Sequence, residues 1–481
     1  MKSLLCIAVL VCALAANTFA QADKKPLFDM DAIRDASTLD IQVHVDWHDV
    51  AGNERAGIPA TRQKHITILV GELWKGAEYR VPVRFVVPAE GKAKHLHLTG
   101  SHHPERLKPD ARPQGVDRIL LANGVGLVQT VVQTVDHSGS PKLIREAGDR
   151  FARTLDPHSS IQFWGWPAAL MRALTAAHAE TEHFAAGKVA MSGGSKNGAS
   201  PSAALLHDKR MTAVHASVSP IWDSPLRLLD EAAWKERGGF PGGSLQHGFL
   251  GGIYGPNYTD QALRAGHSWE ELRAFAKGIA ADVFVSRNLK QLEARGVDLL
   301  FHPGTHDFVC FDIAHGGANF PQIPVYLKAN TGHGGRPHPK AERPEENKSA
   351  FLLHHLLGSE PLLSPPQVET ELDARQLHVE VRFADEQKAE SGRIWWFVDR
   401  PLDGTRGYLQ QKIPDDNWAD MDRKEDGRVW VAEIEVPAGA KRVDVFSNHR
   451  KTIAFEGRKM PTYISSPYTR VVLPVAGSDK E

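Results

Sequence analysis

Residues 188–206, KVAMSGGSKNGASPSAALL, carry the strongest chemical signal in the chain. An apolar run enters Gly193-Gly194-Ser195-Lys196-Asn197-Gly198, and an Ala-rich, helix-compatible segment leaves it. Strand, sharp turn and helix in that order form the setting in which a serine hydroxyl is held out of a sheet edge as a nucleophile. Small residues two before and two or three after the serine let the strand and helix backbones approach. The backbone N–H of the following residue, Lys196, sits at the helix N-terminus and can stabilise an oxyanion. The run departs from G-x-S-x-G by placing Asn197 where the second glycine usually stands, with Gly198 one later; Asn tolerates left-handed backbone better than most residues. A plainer reading makes Ser195 a helix N-cap in a Gly-rich turn. A phosphate loop is disfavoured because G-x-x-x-x-G-K-[ST] is absent.

An activated serine needs a histidine to take its proton and an acid to orient that histidine, in chain order serine, acid, histidine for this arrangement. Thr305-His306-Asp307 follows the apolar run VDLLFHPG (297–304), so Asp307 falls at a strand end. His333 follows VYLKANTG (325–332) in the same way, and the gap between the two holds one helix and one strand. Ser195, Asp307 and His333 are therefore the expected catalytic set. Asp223, after the strand that follows the elbow, competes for the acid role, and His306, His315 and His338 compete for the base. A second oxyanion donor is expected from LHLTGSHHP, at Gly100 or Ser101, with His102-His103 beside the pocket. His95 and His97 share a strand face with that pair nearby, yet there is no HExxH, no Cys cluster and no closed ligand set, so neither metal nor cofactor is expected.

These residues need a scaffold. Alternating strands run from about Ile41 to Pro88 (IQVHVDW, HITILVGELW, YRVPVRFVV). Short apolar runs then alternate with helical stretches: KHLHLTG (94–100), RILLANG (118–124), VQTVVQTVD (128–136), a helical region near 161–184, KVAMSG, and MTAVHASVS (211–219). That grammar predicts an α/β fold with a mainly parallel sheet covered on both faces. The Gly-rich stretch between Arg237 and Pro256 reads as a lid over the site or as a plain surface connection. After a Pro-containing linker at 359–365, short alternating strands without any helix (LHVEVRF, RIWWFVDR, RVWVAEIEV, RVDVFSN) predict a β-sandwich over 366–481. Of Trp395-Trp396, one is expected to face the core; the other is a candidate sugar-stacking platform or a further packing residue.

Met1–Ala22, with Lys2, an apolar run and Ala20-Gln21-Ala22, reads as a cleavable signal peptide preceding a hydrolase-type region at 23–358 whose core begins near 89. A secreted or periplasmic protein with no membrane span is expected. Of the three cysteines only Cys310 then remains, which excludes an intrachain disulfide. With 57 basic against 58 acidic residues, the chain lacks the basic excess that a nucleic-acid partner requires. At 42% hydrophobic and 24% charged, the composition also excludes disorder.

WGWPAALMRALTAAHAE (164–180), VAMSGGSKNG and DKRMTAVHASVSPIWD (208–223) together resemble the PhoPQ-activated pathogenicity-related family of α/β-hydrolases, over about 149–350. G-T-H-D and N-T-G-H are similar to that family's G-T-G-D and N-T-D-H segments, which implies the Asp307 and His333 roles. The elbow and its W-x-W helix entry also resemble the glucuronoyl esterases, whose acid lies near the position of Asp223. The expectation is an exported serine hydrolase acting on a small-molecule, glycan or peptide ester or amide. Three alternatives are a glucuronoyl-type carbohydrate esterase, a peptidase, and a catalytically silent hydrolase fold that serves as an envelope binding protein.

Overall fold

The computed structural model describes residues 25–101, 107–132, 141–225, 258–344, 346–401 and 406–474. The segment Met1–Ala22 read as a signal peptide, His102-His103 and the Gly-rich stretch at 237–256 lie outside the described residues.

Strands β1 (Gln42–Val50), β2 (Thr61–Glu72) and β3 (Glu78–Pro88) form an antiparallel meander. Next in the chain are β4 (His95–Ser101), helix α1 (Val116–Ala122), β5 (Val125–Val131), α2 (Pro141–Thr154) and α3 (Trp166–Ala179). They lead to β6 (Val189–Gly194), α4 (Lys196–His207), β7 (Ala213–Ser217), α5 (Trp269–Val283), β8 (Asp298–His302), α6 (Ile313–Asn319) and α7 (Asn347–Leu357). The sheet order is β1-β2-β3-β5-β4-β6-β7-β8, with β5, β4, β6, β7 and β8 all parallel. Val325 and Lys328 extend it by parallel bridges to Phe301 and Gly304. This is the α/β-hydrolase fold, with β6 leading into the turn at Ser195 and β8 into the loop of Asp307.

Both faces of the parallel strands are apolar, as a doubly covered sheet requires. Val189, Met191, Val214 and Phe301 join the core built with α3 and α4. Their neighbours Ala190, Ala213 and Leu300 join the opposite core with Val116, Leu120 and the α7 residues Leu352 and Leu353. The run RILLANG is part of helix α1 and not a strand: Val116 and Leu120, four apart, are buried on one face, and Gly124 follows with φ +79°. In a run this short the helical and strand periods are hard to separate until tertiary burial selects one.

Beyond residue 366, β9 (Gln367–Asp373), β10 (Gln376–Arg382), β11 (Ser391–Val398), helix α8 (Arg406–Gln410), β12 (Trp418–Asp420), β13 (Asp422–Lys424), β14 (Val429–Glu435), β15 (Arg442–Phe455), β16 (Arg458–Ser465) and β17 (Thr469–Val472) form two antiparallel sheets. Their orders are β13-β14-β10-β9 and β12-β11-β15-β16, with β17 on β15. Helix α8 corrects the expectation of a helix-free region; five residues are too few to show a helical period. The β11 sheet has two buried faces. Ile394 and Val445 point into the sandwich core, whereas Trp395, Phe397 and Phe446 belong to the core of the α/β part. Trp395 is fully buried against His338 and Trp418, so the exposed platform is not Trp395. The two parts also share hydrogen bonds: the N–H of Ser465 donates to the Val325 carbonyl (2.8 Å), and the N–H of Leu327 to Ser465 Oγ (2.7 Å).

Candidate active site

Strand β6 ends at Gly194 and α4 begins at Lys196, leaving Ser195 alone to reverse the chain, at φ 57° and ψ −126°. A non-glycine residue there is strained, and such strain persists only where the surroundings impose it. The Ser195 N–H donates to the Ser217 carbonyl at the end of β7 (2.8 Å), and the Ser195 carbonyl accepts from Gly198 and Ala199 N–H (both 2.9 Å). The flanking glycines are steric requirements. A Cβ on Gly193 would lie 1.8 Å from the Asn197 carbonyl oxygen, and one on Gly198 3.1 Å from Ala216 Cβ. Asn197 itself has no positive φ; it belongs to the first turn of α4, so its tolerance of left-handed backbone is not what admits it. The strained neighbour is instead Val218, a β-branched residue at φ 45° just past β7, which no sequence signal marks.

Ser195 does hold the N-cap position of α4, but its side chain makes no capping bond to the helix. The hydroxyl lies 2.7 Å from His333 Nε2, and His333 Nδ1 lies 3.1 Å from Asp307 Oδ1. Asp307 is fully buried and also accepts the Val309 N–H at 2.8 Å. A carboxylate only accepts, so Nδ1 carries the ring proton and the Nε2 lone pair faces the serine. The Phe308 ring packs on the imidazole at 4.6 Å and restricts its rotation.

Asp223 is not joined to this row. Its carboxylate pairs with Arg287, and its N–H donates to Ser286 Oγ at 2.8 Å. His306 is half-buried, bonded to Thr305 Oγ1 (2.9 Å) and to the Gln411 carbonyl. His315 lies on α6 beside Asn319, and His338 packs on Trp395. Gly100, one residue before the end of β4, lies next to the turn at Ser195: a Cβ there would lie 2.9 Å from Val132 and 3.4 Å from Asn197 Oδ1. The Ser101 carbonyl accepts the Val132 N–H (2.9 Å). Lys196 Nζ sits 5.8 Å from the Trp166 ring centroid, and burial lowers its pKa.

A second Ser–His–Asp row exists at Ser192, His97 and Asp117, with bonds of 2.8 and 2.9 Å. Ser192 is buried within β6, without a strained turn or a helix N-terminus at its hydroxyl, so the row has the partners of a nucleophile but not the setting. It accounts for His97, and His95 Nδ1 accepts the Lys188 N–H at 3.0 Å. Among the described residues no group of three or more His, Cys, Asp or Glu is arranged to hold a metal ion, and no helix is long and apolar enough to cross a membrane.

No protein-family model matches the chain, and no curated protein matches it by sequence. Solved structures do. Acetyl xylan esterase 1 from Thermoanaerobacterium sp. JW/SL YS485 is 14% identical, covering 64% of this chain and 89% of that one with a TM-score of 0.39. A carbohydrate esterase family 15 glucuronoyl esterase from Caldicellulosiruptor kristjansonii is 12% identical over 70% of this chain and 82% of its own (TM-score 0.37). A puromycin-hydrolyzing peptidase of Mycobacterium tuberculosis is 13% identical over 64% of this chain and 45% of its own (TM-score 0.33).

Proposed function

We propose that this protein is a serine hydrolase that cleaves an ester or amide bond by acyl transfer. The supporting observation is the hydrogen-bonded row Asp307–His333–Ser195 with its serine on a strained strand-to-helix turn. In this reading Ser195 Oγ attacks the substrate carbonyl carbon as His333 Nε2 takes the hydroxyl proton. Asp307 holds the imidazole and stabilises its charged form. The developing oxyanion is met by the Lys196 N–H at the head of α4 and by an N–H from Gly100 or Ser101. Each such donor contributes about 10²–10³ in rate. His333 then returns the proton to the leaving group, and water hydrolyses the acyl-enzyme by the same steps.

The motifs at 164–180, 189–198 and 208–223 support membership of the PhoPQ-activated family. The bond from His333 to Asp307, not Asp223, supports an acid position different from the glucuronoyl-type one. Met1–Ala22 supports export. The substrate class in this proposal is a small-molecule, glycan or peptide ester or amide. The test is labelling by a fluorophosphonate probe: covalent modification at Ser195, absent in Ser195→Ala, is the expected result. Absence of labelling in the wild-type chain across pH 6–9 would overturn it in favour of a silent binding protein.

A further inference from the structure

The acid and base loops are tied to each other and to the β-sandwich. The His306 N–H donates to the Thr331 carbonyl (2.8 Å), and the Asn330 N–H donates to Thr305 Oγ1 (3.0 Å). These bonds link the residues just before Asp307 to those just before His333. From the other side, three groups of the C-terminal part reach the same residues. Arg400, fully buried, donates through Nη2 to the Thr305 carbonyl. The Gln411 carbonyl pairs with His306 Nε2. Ile413 exchanges two bonds with the Asn330 side chain, at 2.8 and 2.9 Å.

Arg400 is an expensive way to fill this space. Its guanidinium lies 3.7 Å from the Tyr408 ring centroid and 4.0 Å from that of Phe397, and it bonds to the Tyr408 carbonyl (2.9 Å) and to Tyr468 Oη (2.9 Å). Among the described residues no carboxylate is one of its hydrogen-bond partners, although Asp444 stands behind Tyr468 at 2.7 Å. Burying a charge on carbonyls and rings costs more than packing an apolar side chain of that volume. What the arginine supplies and an apolar residue cannot is a directional bond to the loop that carries Asp307.

Resting on the hydrolase reading above, we infer that the β-sandwich sets the Asp307–His333 geometry, with Arg400 and Asn330 as positioning residues acting through Thr305 and the 330–333 loop. The sandwich is then part of the catalytic machinery's support and not an appended module. A misplacement on the order of 1 Å at the reacting groups costs up to ~10²-fold in rate.

The test uses the full chain with Asn330→Gly, which keeps the positive φ of 57° while deleting both bonds to Ile413, and with Arg400→Lys. Each is measured for fluorophosphonate labelling rate against pH and for thermal midpoint. The expected result for Asn330→Gly is a folded chain whose thermal midpoint falls by only a few degrees, as two orphaned Ile413 backbone groups require, with plateau labelling slowed ~10–100-fold. The acid limb should also move to lower pH, because a loosened carboxylate contact stabilises imidazolium less. Arg400→Lys, which keeps one donor, should fall between this and wild type. Wild-type rates and an unmoved pH profile in folded Asn330→Gly would overturn the inference while leaving the hydrolase reading intact. Failure of the wild-type chain itself to label would remove both.

Discussion

His333 Nε2 stands 2.7 Å from Ser195 Oγ although 138 positions separate the two residues. The contact depends on β6 and the 325–328 segment, itself bridged to β8 at Phe301 and Gly304, running parallel in one sheet, so that the turn at Ser195 and the loop at His333 leave it on the same edge. The same sheet holds Ser192 2.8 Å from His97, so proximity alone does not identify a nucleophile. Ser195→Ala should abolish hydrolysis of a p-nitrophenyl ester, a loss on the order of 10⁴–10⁶ in kcat. Ser192→Ala should retain kcat within about threefold while lowering stability by ~1–3 kcal/mol, the cost of an orphaned buried partner. Equal loss of activity in both variants would refute the distinction.

The two candidate acids separate cleanly. Asp307→Asn removes the acceptor that fixes the His333 tautomer and should lower kcat by ~10⁴. Asp223→Asn breaks a pair with half-exposed Arg287, which can turn to water, so the expected cost is ~1–3 kcal/mol in urea unfolding with kcat preserved. Paired kinetics and denaturation on both variants check this.

Gly193→Ala and Gly198→Ala should differ in severity. The first drives a methyl to 1.8 Å from a backbone oxygen, which only backbone movement can relieve, and should cost ~3 kcal/mol or more. The second meets the Ala216 methyl and the Gly193 carbonyl oxygen, both at 3.1 Å, and should cost about 1–2 kcal/mol. Thermal unfolding ranks them.

Acid should unfold the protein through histidines shielded from water. Burial pushes His302 and His449 down to about 3, and burial with the Arg400 charge pushes His306 down to about 4. Each stays neutral in the folded chain while its unfolded counterpart takes up a proton near 6.5, so stability is full above that pH and is lost as pH falls toward 4. The loss is about 2 kcal/mol per histidine at pH 5. His302 Nε2 accepts from Asn347 Nδ2 (3.0 Å), a bond protonation would break. Urea midpoints from pH 7 to pH 4.5 should fall steadily, and His302→Gln should flatten the slope.

Trp395→Ala should destabilise by ~3–5 kcal/mol, because the ring is buried between the β11 sheet and the α/β part. A sugar platform would instead lose substrate affinity with stability intact; comparing KM with the thermal midpoint discriminates.

The turn at Ser195 and the loops at Asp307 and His333 were legible in the linear sequence because each is local: an apolar strand, a strained or loop position, and a residue type able to move or hold a proton. The alternation of helix and strand was legible for the same reason, since burial periods of 3.6 and 2 are written in neighbouring residues. Tertiary structure alone decided that His333 takes Asp307 and not Asp223, because that choice depends on which strand end lies beside which. It alone turned RILLANG into α1, placed Trp395 between two parts of the molecule, and set buried Arg400 on the Thr305 carbonyl. Those outcomes are sums over contacts between residues tens to hundreds of positions apart, and a side chain's type does not say which distant backbone will meet it.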